Sequence, residues 1–251
     1  MRRLAGLGSR LSVNRLQIAF VHPSAFVHPS ASVAPGAVVL AGAFVGARCE
    51  LQASSIVGAG SIVREGTLLG PHASVENCEI GTNCVLHSGV RIGADGFGFE
   101  VDPATGSVRK KPQLLRVLLG DEVEVGAGTC IDRGSWRNTR VGDQTKIDNL
   151  VQIGHNALVG RGVLICAQSA LAGSSELGDF CVMGGKSAIA DHVTVCAHVR
   201  LAACSGVTKH ITVAGDYAGF PAQPAATWRR QMASAARRAQ RRGPPELAPE
   251  R

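Results

Sequence analysis

Aromatic side chains are scarce: two Trp, one Tyr and seven Phe make up 4% of 251 residues. Such a chain fits a narrow interior with room for Val and Ile but seldom for rings. No run of 18 apolar residues occurs, so no helical membrane span is expected. The eight cysteines include no CxxC pair, which argues against a disulfide framework or a zinc knuckle. Free thiols used as small apolar fillers fit a reducing compartment. Acidic residues are missing from one end. Residues 1–20 carry Arg2, Arg3, Arg10 and Arg15 without Asp or Glu, and residues 225–251 carry seven Arg against two Glu. The body between holds 15 basic and 17 acidic residues, so the formal charge of +7 belongs to the tails. No nucleic-acid motif accompanies this charge, and no nucleic-acid partner is expected. An acid-free, Arg-rich leader over 1–20 has the composition of a mitochondrial transit peptide. The alternative is the plain basic tail of a cytoplasmic protein.

What the sequence has in abundance is a period of six. Aliphatic residues recur at Val21, Val27, Val33 and onward to Val75, slip by one to Ile80, and reach Ile92. They resume at Leu119, Val125 and Ile131, then run from Val141 to Val213, making 29 positions in all. Two residues before each stands a small or β-branched residue, such as Ala37, Cys49, Ser61, Thr145 or Ala157. Cys49, Cys78, Cys84 and Cys181 occupy this small inward position. An inward pair two residues apart is what a short strand with one buried face requires. Glycine often follows the aliphatic, as at Gly46, Gly142 and Gly154, and is expected to relieve crowding at a corner. A sustained short period means a parallel β-solenoid. Three hexapeptides per coil give about ten coils, with residues 18 apart stacked at about 4.8 Å. Hexapeptides of this form resemble the left-handed β-helix family, which implies a triangular prism of that hand, over residues 21–215.

Two interruptions leave the prism, near 94–117 and 132–140. The first contains Gly93-Ala-Asp-Gly-Phe-Gly-Phe99 and the basic run Arg109-Lys110-Lys111; the second contains Asp132-Arg133-Gly134. Insertions in a solenoid project from an edge that often binds ligand. Phe97 and Phe99 favour a binding role for the first loop. The extension 216–251 begins with Pro221 and Pro224, after which Trp228, Met232, Ala235 and Ala239 recur at helical spacing. This predicts an amphipathic helix near 226–241 whose apolar stripe needs the prism or sister helices as a partner. A disordered tail is expected from Gly243.

The segments GADGFGF (93–99), KKPQLLR (110–116), CIDRG (130–134), KIDNLVQIGHN (146–156) and AGFPAQPAATWRR (218–230) resemble the UDP-3-O-acylglucosamine N-acyltransferases of lipid A synthesis. The resemblance covers roughly 21–240. It implies a homotrimer that moves a (3-hydroxy)acyl chain from acyl carrier protein to the 2-amino group of an acylated UDP-glucosamine, with no cofactor and no metal. It places the family's catalytic histidine on His155, its acidic partner on Asp148 and its oxyanion-binding backbone N–H on Gly173. It assigns substrate binding to His192, Asn149, Gln152, Asp95, Phe97 and Phe99. The chemistry agrees: an amine attacking a thioester loses a proton, and a neutral imidazole is a natural base near pH 7. Arg237, Arg238, Arg241 and Arg242 would attract an acidic carrier protein. Where the bacterial family carries a further N-terminal domain that helps grip uridine, some 20 residues precede the first coil here. This predicts a short form, of the kind that fits a plant or algal organelle.

Two other readings compete. A γ-class carbonic anhydrase is also a hexapeptide trimer and needs three histidines on zinc; the spacing of His155, His192 and His198 misses that pattern. A non-catalytic hexapeptide scaffold would use the prism alone. His22, His28, His72, His87 and His210 read as surface or corner residues.

Overall fold

Each hexapeptide folds into a two-residue strand and a four-residue corner. In Ala170–Leu171 the alanine faces outward, while the leucine is buried. The next strand, Glu176–Leu177, repeats this on the adjoining face. Stacking these units over residues 18–242, which the computed structural model describes, gives a left-handed parallel β-helix followed by one helix, Ala225–Arg242. Three sheets of ten, nine and eleven strands form its faces. The Arg-rich leader up to residue 17, the tail from Gly243 and the side chains of Arg241 and Arg242 lie outside what is described.

The register is 18 residues per coil through most of the prism, as in Phe20↔Val38 and Ala170↔Ala188. It shortens to Ser74↔Arg91 at the one-residue slip. It lengthens to Ile92↔Ile131 and Ile131↔Ile153 where the two excursions leave. The first excursion is an antiparallel hairpin of Phe99–Val101 with Val108–Lys110; the second is the short loop between Cys130–Arg133 and Thr139–Val141. Because the coil closes behind each excursion, the aliphatic column continues: Ile92, Ile131, Ile153, Leu171 and Ile189 are all at most 1% exposed.

The small inward residues do more than fill space. Cys49 Sγ, Thr145 Oγ1, Ser169 Oγ and Cys181 Sγ each donate to a carbonyl 15 residues ahead, at 3.0, 2.8, 3.1 and 3.1 Å. They stitch one coil to the corner of the next, and a thiol can stand where a hydroxyl does. Burial pushes the Cys78 thiol up to about 12 and the Cys84 thiol up to about 11.

One expectation changes. Val213 is not the last inward aliphatic; it is exposed, and Ile211 is buried instead, bridging to Val195. The final coil is two residues short, pairing Leu201 with Tyr217, so the period runs on in sequence after the geometry has changed. The glycines after the aliphatics relieve crowding, as expected, but the crowding comes from the next coil and not from their own backbone conformation. The left-handed residues lie two places further on and are mostly not glycine: Arg48, Leu150, Asn156, Phe180 and His192 have φ between 54° and 61°. Gly154 serves coil stacking, since a Cβ there would stand 2.8 Å from Gly173 N of the next coil.

The C-terminal helix touches the prism at its start. Ala225 is buried, and Trp228 lies against Gly219, where a Cβ would come within 2.6 Å of Cδ1. Met232 is exposed, as are Arg237 and Arg238.

Candidate active site

The first face carries an outward ladder of Gln152, Ala170, Ala188 and Gly206, paired in register. Side chains this small leave a trough about 14 Å long over three strand spacings. The first excursion leans over its upper end with Asp132 beside it, and the whole forms a cleft of about 980 Å³. Its lining brings together Asp95, Phe97, Phe99, Gln152, His155, Gly173 and His192, all expected from sequence, and adds Asp132, Lys110 and Phe220. Phe220 closes the lower end, for a Cβ on Gly206 would fall 1.9 Å from its ring.

His155 sits at the corner after Gln152–Ile153 and is half-buried. A Cβ on Gly96 would stand 2.4 Å from His155 Cβ, and one on Gly173 would stand 2.7 Å from His155 Nε2. Backbone from the excursion and from the next coil thus clamps the imidazole on two sides. Burial holds its pKa below the ordinary histidine value; a hydrogen bond to the Phe97 backbone opposes this, and the nearby charges of His192 and Lys111 reinforce it. Among the described residues no acceptor takes the Gly173 N–H.

The carboxylates at the upper end differ. Asp95 is paired with Lys110 and with Arg133, the latter at 2.7 Å. The Lys110 hydrogen bond, against some desolvation and with help from Arg133, holds its carboxyl below the usual range. Among the described residues Asp132 has no cationic partner. Desolvation and, less, the Asp95 charge outweigh the hydrogen bond from Gln152 at 3.0 Å and push its carboxyl up to about 6. Sequence reading missed Asp132 as a site residue, although the motif CIDRG contains it.

Asp148 and Asn149 do not reach this cleft. Asp148 accepts from Asn149 N at 2.7 Å and Ala167 N at 3.1 Å, and Asn149 accepts from Ala127 N at 2.7 Å. Both line a separate hollow on the third face with His87, Lys146 and Cys166. Asp148 precedes His155 by seven residues, more than one hexapeptide, so a corner separates them within the chain. The partner of His155 is its neighbour Asn156, whose Nδ2 donates to His155 Nδ1 at 2.7 Å. Arg237 and Arg238 stand on the helix, away from the lining of the cleft.

His198 stacks on Phe180 at 5.3 Å, apart from His155 and His192. Among the described residues no three His, Cys, Asp or Glu side chains gather as a metal site. No helix there is long and apolar enough to cross a membrane.

No protein-family model matches the chain. It is 55% identical over 164 residues to a protein of Arabidopsis thaliana named probable UDP-3-O-acylglucosamine N-acyltransferase 2, mitochondrial, covering 65% of this chain and 54% of that one. It is 41% identical over 174 residues to the UDP-3-O-acylglucosamine N-acyltransferase of Methylobacterium sp. strain 4-46, covering 69% and 49%. The chain spans about half the length of the curated relatives it matches. Among solved structures, an Arabidopsis UDP-N-acetylglucosamine acyltransferase aligns with a TM-score of 0.64 at 22% identity, covering 84% of this chain and 77% of that one. A Bacteroides fragilis enzyme of that name aligns at 0.60 and 18%, covering 84% and 78%. At such identities these structures speak for the fold. Sequence and fold agree, and the β-helix of this chain is a relative of the UDP-3-O-acylglucosamine N-acyltransferases.

Proposed function

We propose that the protein transfers an acyl chain from a thioester carrier to the amine of an acylated UDP-glucosamine in lipid A synthesis. The observation that carries this reading is the joining of an apolar trough to a proton-handling corner. Ala170, Ala188 and Gly206 offer a smooth bed for an alkyl chain, and His155 with the Gly173 N–H stands at its head, where the acyl carbonyl would lie. Lys110 and His192 flank that point and suit the phosphates and sugar of the acceptor. The Arg-bearing helix supplies positive charge for an acidic acyl carrier protein, and its exposed Met232 suits packing against sister helices in a homotrimer. A mitochondrial location rests on the composition of the leader and on the name of the Arabidopsis relative. Purified protein with acyl carrier protein loaded with a 3-hydroxyacyl chain and UDP-3-O-acylglucosamine should yield the diacylated sugar. Absence of product, with carrier and acceptor both shown to bind, would leave the scaffold reading.

A further inference from the structure

The upper end of the cleft holds two carboxylates and two cations, and both cations serve the same carboxylate. Lys110 and Arg133 each pair with Asp95, Arg133 at 2.7 Å. Asp132 precedes Arg133 in the chain, is half-buried and lines the same cleft. Its Oδ2 accepts from Gln152 Nε2 at 3.0 Å. Among the described residues its Oδ1 takes no hydrogen bond, and the charge that bears on it is the like charge of Asp95.

The fold holds this carboxylate in place. Asp132 belongs to the strand Cys130–Arg133, which pairs with Arg91–Asp95 above and with Gln152–Ile153 below. The chain then closes at Gly134, where a Cβ would strike Arg137 O at 1.7 Å. Asn156 pins the loop that follows, its Oδ1 accepting from Ser135 N at 2.7 Å and from Trp136 N at 3.3 Å. Ile131 pairs with Ile153, so Asp132 stands one coil above Gly154, the residue before His155. A carboxylate kept from water without a counter-charge is costly. It calls for a ligand that brings hydrogen-bond donors. An acyl chain brings none, and phosphates would be repelled. The donor that must come within reach of His155 is the amine it deprotonates.

We infer that Asp132 is a specificity-determining residue, whose free oxygen takes one N–H of the acceptor's amine while His155 takes the other. This rests on the acyl-transfer reading. A neutral amine has two N–H bonds and a lone pair. With one N–H on each partner, the lone pair is left to face the thioester carbonyl. The C–N bond forms, the C–S bond breaks, and its electron pair leaves with sulfur. The proton shed by nitrogen passes to His155 and from there to sulfur as the thiol. The one N–H left on the product amide stays on Asp132. A hydroxyl in the amine's place has a single proton. Given to His155, it leaves the Asp132 oxygen unpaired against the lone pairs of another oxygen, the kind of mismatch by which a polar site rejects an analogue.

The test compares UDP-3-O-acylglucosamine with its analogue bearing a hydroxyl at carbon 2. Calorimetry without acyl donor should show wild type binding the amine at least about tenfold more tightly, the size of a hydrogen bond to a charged group. Asp132→Asn leaves an oxygen for Gln152 and turns N–H groups to the cleft. It should weaken Kd and kcat/KM for the amine by about 10- to 100-fold and leave binding of the hydroxyl analogue unchanged or tighter. If Asp132→Asn does not fold, the wild-type comparison still decides. Equal wild-type affinity for the two acceptors overturns the inference. So does an equal loss for both in Asp132→Asn, which would mean that Asp132 holds a sugar hydroxyl common to the two. An amine acceptor that does not bind wild type overturns the inference and the proposed function together. The expected affinities without acyl transfer would count against the proposed function and support the amine site.

Discussion

The upper and lower halves of the prism share one interior and differ only on the outside. On the first face the inward residues of the upper coils, Val39, Val57 and Val75, are as completely buried as Ile153, Leu171 and Ile189 below. The outward residues of the same strands run Phe20, Val38, Ile56, Ser74 and Arg91 above, then Gln152, Ala170, Ala188 and Gly206 below. Phe20 and Ile56 stand out from the surface, and on the second face Phe26 and Phe44 stack at 5.1 Å. The lower strands carry almost nothing outward, and there the cleft lies. Period and inward identity thus build the solenoid, while outward volume decides whether a face is a wall or a bed for ligand.

The sharpest way to separate the two roles is to change neighbours that face opposite ways. Ile153→Ala should cost about 2–5 kcal/mol of stability by opening a cavity, with a smaller direct effect on turnover. His155→Ala should lower kcat by about 10²–10⁴ and leave the melting temperature nearly unchanged, because the ring lies outside the aliphatic column. Turnover and melting of both variants check this, and full turnover in His155→Ala would break the assignment. Making the lower face resemble the upper one is the next test. Ala188→Leu should leave melting unchanged and reduce transfer of long acyl chains by about tenfold or more, a pocket effect of a methylene or two. Equal loss for short and long acyl donors would show that the trough does not hold the chain.

A smaller effect concerns Asp132. Its carboxyl, raised to about 6, holds its proton more tightly in the folded chain than in the unfolded one. Wild-type stability from this group is therefore full below the ordinary carboxylate value of about 3.9 and is lost as pH rises to about 6. Asp132→Asn does not titrate, so its melting temperature relative to wild type should rise between pH 4 and pH 6 and level off above. A difference independent of pH would mean that Asp132 is not desolvated. Smallest of all is Arg237→Glu with Arg238→Glu. Exposed charges act within about 8–10 Å at physiological salt, so carrier association should slow at low salt and converge with wild type at high salt, as stopped-flow mixing would show.

Much of this was legible because period survives translation into space. The aliphatic column, the small inward residues and the two excursions each follow from counting. The place of Asp148 does not, because its role came from the resemblance alone, and the seven-residue step from it to His155 turns a corner onto another face. Nor does the partnership of Asn156 with Ser135 and Trp136, which spans 20 to 21 residues and depends on a loop closing at Gly134. The left-handed corners leave no signature either, since Arg48, Leu150 and Phe180 occupy them as readily as Asn. Val213 shows the converse, a pattern that continues after the coil it described has ended.

The buried thiols give the molecule reporters of its own opening. Cys49, the neighbours Cys78 and Cys84, and Cys181 mark three levels along the axis, whereas Cys166 and Cys204 are exposed. The thiolate is what attacks a thiol reagent, so the exposed pair should react at once and the buried four only as their coils part. In a solenoid each coil leans on its neighbours alone, and opening need not be all-or-none. The order in which those four thiols become reactive in mild denaturant would trace where the prism unwinds first and how far the opening spreads.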